Sequence, residues 1–202
     1  AYEIHERLVG SEMCIRDSLN TYFSINAPTK KWTNLVEGHE LYTAGHMIEA
    51  AVAYYQATGK EKFLNIARKN ADLICRVFGT GEGQKRGYPG HQEIELALVK
   101  LYRVTGERAY LHQAEYFIRE RGRNPNYLQA EIEGRGHPEF FPEFERYDLE
   151  YSQAHKPPVE QDEAVGHAVR EMYMCSAMAD LAGENDCLLY TSDAADDRIS
   201  VD

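Results

Sequence analysis

The ten residues Tyr55-Gln-Ala-Thr-Gly-Lys-Glu-Lys-Phe-Leu64 return, 47 positions later, as Tyr102-Arg-Val-Thr-Gly-Glu-Arg-Ala-Tyr-Leu111, and Ala67 and Ala114 keep the register. In both copies apolar residues at helical spacing run up to Thr-Gly and resume behind it. Each unit therefore reads as a helix, a tight turn and a second helix packed back on the first. A single hairpin of amphipathic helices cannot bury its apolar face alone. A chain of this kind is restricted to stacked or ring-closed αα-hairpins, either a solenoid or a toroid. The expected fold class is all-α, and Met178-Ala-Asp-Leu-Ala-Gly183 reads as the start of a third turn.

Taken in order, Tyr22–Ile25 alternates and predicts a strand or extended lead-in, anchored by Trp32 and Leu35. The first helix spans about 39–58, with Leu41, Ala44, Ile48, Ala51, Val52 and Tyr55 inward and Gly59 as its stop. The second spans about 61–78, carrying Phe63, Ile66, Ala67, Ala71, Ile74 and Phe78 on one face. The glycine-rich stretch 79–87 follows a helix and lacks the Gly-Lys-Ser/Thr ending of a phosphate loop, so it reads as a connector. A third helix starts at about Tyr88 and runs to about Tyr102, a fourth covers 107–121, and a fifth starts at Val159 with Val165, Ala168, Val169, Met172, Cys175 and Ala179 as its stripe. The long, aromatic-rich connection 123–158 reads as a packed loop beside a binding mouth.

Both ends look foreign to this pattern. Glu12-Met-Cys-Ile-Arg-Asp17 is what the DNA GAGATGTGTATAAGAGAC encodes, and the reverse complement of that element encodes Cys187-Leu-Leu-Tyr-Thr-Ser192. One sequencing-library adapter in two orientations accounts for both, so 1–18 and 187–202 are expected to be non-native tails and 19–186 the domain. The formal charge of −11 argues against a nucleic-acid surface. No apolar run reaches the roughly 20 residues of a membrane span. No signal peptide is visible, which favours a cytoplasmic protein but leaves localisation open, because the native N-terminus is expected to be missing. Cys75 and Cys175 lie on apolar stripes and read as small buried hydrophobes; no zinc-type cysteine spacing is present.

The chemistry-bearing residues sit at the front ends of the first-of-pair helices: His39, Glu40 and His46; His91, Glu93 and Glu95; Glu160, Glu163 and His167. His39 and His46 are seven apart and so fall on one side of their helix. In a toroid, alternate helices form an inner ring whose like ends converge on one mouth. Imidazoles and carboxylates gathered there suit a hydroxyl-rich ligand, and two facing carboxyls would suit glycoside hydrolysis. The plainer reading of Glu40, Glu93 and Glu163 is a helix N-terminal acid opposing the macrodipole. His112 and His137 read as surface residues, and His155 lies beside the fifth helix.

Three stretches, His39-Glu-Leu-Tyr-Thr-Ala-Gly-His-Met-Ile-Glu-Ala-Ala-Val-Ala53, Gly87-Tyr-Pro-Gly-His-Gln-Glu-Ile-Glu-Leu-Ala-Leu-Val-Lys-Leu101 and Gln153-Ala-His-Lys-Pro followed by Ala164-Val-Gly-His-Ala-Val-Arg170, resemble glycoside hydrolase family 127, which contains bacterial β-L-arabinofuranosidases. The resemblance covers essentially all of 19–186. It implies about half of an (α/α)6 six-hairpin domain and a small carbohydrate, an arabinofuranoside, as ligand. It also implies retaining hydrolysis by a cysteine thiolate held in a zinc–cysteine–glutamate cluster. By the same resemblance His46, His91 and His167 contact the sugar; His39, Glu40 and Glu93 join the expected sugar site from their place at the helix ends.

The nucleophile, the acid/base and the metal-binding cysteines are expected downstream of residue 186. No catalytic residue is therefore expected in this chain, and zinc is expected in the full-length parent but not on this fragment. Thr43 stands where many relatives carry Cys. Two alternatives stay open: another (α/α)6 sugar enzyme such as an epimerase or lyase, or a non-enzymatic helical-repeat binding module.

Overall fold

The structure, a computed structural model, describes residues 20–185; the adapter-like segments lie outside them. Among the described residues there are seven α-helices and no strand beyond an isolated bridge between Phe78 and Lys85. The helices are α1 (Thr21–Ile25), α2 (Glu40–Thr58), α3 (Glu61–Val77), α4 (Ile94–Thr105), α5 (Arg108–Glu120), α6 (Tyr127–Arg135) and α7 (Ala168–Asn185). None is long and apolar enough to cross a membrane.

The repeat is reproduced down to individual hydrogen bonds. Gly59 and Gly106 both take left-handed backbone, at φ 68° and 72°, and donate their N–H groups to Tyr55 O and Tyr102 O at 2.7 Å. The threonine before each glycine donates its hydroxyl back into its helix, Thr58 to Tyr54 O (2.7 Å) and Thr105 to Leu101 O (2.8 Å). Each hydroxyl then accepts from the residue after the glycine, Lys60 N at 3.2 Å and Glu107 N at 3.3 Å. One Thr-Gly pair thus satisfies orphan groups on both sides of the turn, which explains its recurrence.

Helices α2, α4 and α7 form an inner row and α3 and α5 an outer one, because α4 packs on α2, α5 and α7 while α3 packs on α2 and α5. The middle rod is deeply buried: Ile94, Ala97, Leu98, Val99 and Leu101 have no exposure. Arg103 ties α4 to α7 through Asp180 (2.9 Å) and Glu184 (2.6 Å). This is the hairpin arrangement of a partial (α/α)6 toroid.

Several expectations need correction. Tyr22–Ile25 is helical, not extended, because the Asn20 side chain accepts from Phe23 N at 3.2 Å and starts a turn. The third helix begins at Ile94 rather than around 88, since Gly90 N donates across to Leu35 O (3.0 Å) and pins 88–93 outside it. The expected fifth helix becomes helical only at Ala168, after Gly166 turns at φ 75° and His167 N reaches Tyr151 O (3.2 Å). Its stripe is also reversed. Arg170, Met174, Ala177 and Leu181 face inward, whereas Val169 and Met172 are 49% and 59% exposed and Cys175 is exposed with them. Gly183 lies inside α7 and starts no third turn.

The connection after α5 is packed, but it contains α6 and short 3-10 turns at Pro142–Arg146 and Leu149–Ser152. Two carboxylates clamp it over the lead-in. Glu131 accepts from Leu35 N and Val36 N, both at 3.0 Å, and Glu37 accepts from the backbone of Glu139, Phe140 and Phe141. The glycine-rich stretch is a connector whose Gln84 side chain caps the end of α3, donating to Cys75 O at 2.9 Å.

Candidate functional site

The front ends of the inner helices meet in a cluster of rings. His39 caps α2 in left-handed backbone (φ 52°), so its ring folds back toward Glu37, whose carbonyl accepts from Nδ1 at 2.5 Å. The His91 ring lies 5.7 Å from His39 and 5.8 Å from His167, centre to centre. Tyr42, one turn along α2, lies edge-to-face with His46 (4.5 Å) and tilted against His91 (4.3 Å). Tyr173 of α7 closes the group at 6.0 Å from His46 and 6.1 Å from His91. Phe141, against His39 at 5.6 Å, and Tyr151, against His167 at 5.3 Å, extend the wall onto the long connection. His39, His46, His91 and His167 are therefore brought together, and three inner segments contribute to one half-buried surface.

Two buried arginines hold the segments that carry these rings. Arg170 donates to Gly90 O (2.9 Å) and to the Ser152 hydroxyl, and lies over the Tyr151 ring at 4.5 Å. Arg121 donates to Pro89 O (2.6 Å) and Ser152 O (2.9 Å), and pairs with Glu95 at 3.4 Å. Glu95 in turn accepts from Glu93 N at 3.0 Å, so it braces the start of α4 rather than facing a ligand. Gly90 is required at its place, since a Cβ there would lie 2.6 Å from both Leu35 O and Val36 O.

His39 and His91 are held neutral. Burial lowers His39 and pushes His91 down to about 4, and the nearby Arg170 adds to the effect on both. Because Gln92 O accepts from His91 Nδ1 at 2.8 Å, the proton sits there and Nε2 is left as an acceptor. His167 Nδ1 is buried with no hydrogen-bond partner.

The carboxylates do not join the ring surface. Glu40 is buried beneath Trp32, accepting from its N–H at 2.7 Å, and burial raises it to about 7. Glu93 is fully buried beside Gly45 and His46, raised to about 10 by burial and by Glu49. Glu160 and Glu163 are exposed before α7, as are His112 and His137 on other surfaces. A separate cavity beneath 131–145 is lined by Val36, Glu37, Ile132, Arg135, His137 and Phe144. Glu37 there is already saturated by Arg135, Asn34 and three backbone N–H groups, so it offers no free acceptor.

Sequence reasoning missed Tyr42, Tyr173, Arg121 and the hydrogen-bonding role of Arg170. Helical spacing could have found Tyr42, which is three residues after His39 and four before His46. Tyr173 carries no such signal.

The described residues do not fit a zinc–thiolate cluster. Cys75 is half-buried and Cys175 exposed, against the expectation that both are core residues. Burial pushes their thiols up to about 12 and about 11, the opposite of what a thiolate ligand needs. Among the described residues the three-residue group with ligand spacing is His46, Glu49 and Glu93, without cysteine.

Paired helices around a histidine- and tyrosine-lined surface define the class: an all-helical αα-hairpin domain of the partial (α/α)6 type. The sequence model of the β-L-arabinofuranosidase GH127 catalytic domain matches residues 18–197, and the chain belongs to that family. The non-reducing end β-L-arabinofuranosidase of Bifidobacterium longum subsp. longum is 42% identical over 153 residues, covering 76% of this chain and 23% of the relative. The solved GH127 β-L-arabinofuranosidase of Geobacillus stearothermophilus T6 superposes with a TM-score of 0.80 at 55% identity, over 86% of this chain and 27% of that one. A second solved GH127 β-arabinofuranosidase gives 0.66 at 48% identity, over 82% and 23%. The chain thus spans about a quarter of the length of these relatives.

Proposed function

We propose that this chain supplies part of the sugar-binding bowl of a retaining glycoside hydrolase that acts on terminal β-L-arabinofuranosides. What carries the reading is the junction of His39, His91 and His167 from three inner segments, with Tyr42 and Tyr173 between them. The His39 and His91 rings, with Nδ1 spent on the carbonyls of Glu37 and Gln92, can each accept from one sugar hydroxyl at Nε2, and the tyrosine faces can lie against the apolar C–H side of a furanose. A neutral, preorganised wall binds an uncharged pentose without the cost of desolvating an ion.

In this reading the residues described here orient the sugar, while nucleophile, acid/base and zinc cluster belong to other parts of the parent enzyme. The chain alone is then inactive. The exposed Val169 and Met172 on α7 support this, because an inner rod of a closed toroid would have that face covered. The test is a chimera in which this chain is joined in frame to the remaining part of the Geobacillus relative. Hydrolysis of an aryl β-L-arabinofuranoside is expected from the chimera and absent from the chain alone. His91→Ala in the chimera is expected to lower kcat/KM by at least ~10-fold, roughly the loss of one hydrogen bond to a buried ligand. A chimera that folds and turns over equally well with and without His91 would refute the proposal.

A further inference from the structure

We propose that His46, Glu49 and Glu93 form a binding site for a divalent metal ion. Their ligand atoms lie within 4.8 Å of one another. His46 Nδ1 stands 3.5 Å from Glu93 Oε1 and 3.8 Å from Glu49 Oε2. Donors bound at the usual 2.0–2.2 Å to a tetrahedral ion are roughly 3.4 Å apart, so the two His46 separations need change by only a few tenths of an ångström.

The observation that points to a ligand, rather than to a chance cluster, is Glu93 itself. Its side chain has no solvent exposure, and as an ionised carboxylate it has no hydrogen-bond donor at either oxygen. Buried carboxylates are ordinarily paired, hydrogen-bonded or bound to a metal. The groups around it leave that place open. Glu95 is engaged by Arg121 and by the Glu93 backbone, and Lys100 is paired with Glu49 through Oε1. Glu49 therefore keeps Oε2 turned toward His46. The backbone also makes room, since Gly45 has no Cβ where one would lie 1.4 Å from Glu93 Oε2.

One imidazole nitrogen and two carboxylate oxygens suit Mn²⁺ or Zn²⁺ better than Ca²⁺, which prefers an all-oxygen shell. An ion on Nδ1 would fix the His46 ring and its tautomer while leaving Nε2 free, so the site would also stiffen one wall of the ring cluster. The rival arrangement is a proton shared between Glu49 and Glu93, which would make the pair self-sufficient and exclude an ion.

Mn²⁺ is the probe of choice because it ignores the thiols Cys14 and Cys187 of the tails, which would capture Zn²⁺. The full 202-residue chain is stripped with chelator and titrated with MnCl₂, following the six-line electron paramagnetic resonance signal of the free ion. About one equivalent is expected to vanish from that signal, with Glu93→Gln and His46→Gln each weakening binding at least ~10-fold and His112→Gln leaving it unchanged. His46 is half-exposed, so its variant decides the matter if Glu93→Gln fails to fold. No loss of free signal at ~1 mM Mn²⁺, or binding that survives both substitutions, overturns the site and favours the shared proton.

Discussion

Gly45 and Glu93 interlock: the carboxylate of one occupies the space where any side chain on the other would begin. A Cβ at 45 would also lie 3.0 Å from the Ile94 backbone, so α2 and the start of α4 cannot move apart locally to relieve the clash without disturbing both inner rods. Gly45→Ala is expected to cost about 1–3 kcal/mol, the range for overpacking a dense core. For a chain of this size that lowers Tm by about 3–10 °C. Gly59→Ala is the control, because nothing lies within 4 Å of a Cβ there and only its positive φ is strained. Its cost is expected to be near 1 kcal/mol. Equal losses at both positions in thermal melts would contradict the interlock.

Glu40 predicts a pH dependence. Burial raises its carboxyl to about 7 against an ordinary 4.5, with the Trp32 N–H opposing the shift. The folded state therefore holds the proton more tightly than the unfolded one. The linked stability is fully present below about pH 4.5 and is lost as pH rises toward and through 7. Glu40→Gln keeps an acceptor for Trp32 N–H and removes the titration. Urea unfolding is expected to show the variant more stable than the parent by on the order of 1–3 kcal/mol at pH 8, and little different at pH 5. A parent advantage at pH 8 would mean that the ionised carboxylate is stabilising there.

Arg121 and Arg170 are both buried and both hold the Pro89–Gly90 segment, yet only Arg121 has a carboxylate partner. Arg121→Met leaves Glu95 buried without its cation and is expected to cost about 3–5 kcal/mol. Arg170→Met strands only neutral acceptors and is expected to cost less, about 1–3 kcal/mol, while loosening His91 and Tyr151. Denaturant midpoints for the two variants check the order; the reverse order would show that the Glu95 pair contributes little.

The helices most readily seen in the sequence, α2, α3 and α5, are those whose apolar period ends at a recognisable turn. Gly59 and Gly106 announce such turns because only residues tolerant of positive φ fit there. The starts of α4 and α7 were hidden because Gln92, Glu93 and Val165 suit a helix locally. Their backbone is instead fixed by partners far along the chain, Leu35 for Gly90 and Tyr151 for His167. The inward face of α7 was misjudged for a related reason. A charged residue, Arg170, goes inside because backbone carbonyl and hydroxyl acceptors await it, and Val169 and Met172 then turn outward. The site was legible in its histidines, which converge, and not in its glutamates. Helix-end position does not reveal that Glu40 turns under Trp32 and Glu93 under Gly45.

The common sugar surface is tested most directly by proton NMR of the histidine rings while methyl β-L-arabinofuranoside is added to the 202-residue chain. The account predicts that the signals of His39, His46, His91 and His167 move together along one binding curve, while those of His112 and His137 stay in place. Ring signals that do not move, or that move at His112 and His137 as much as at the clustered four, would contradict it.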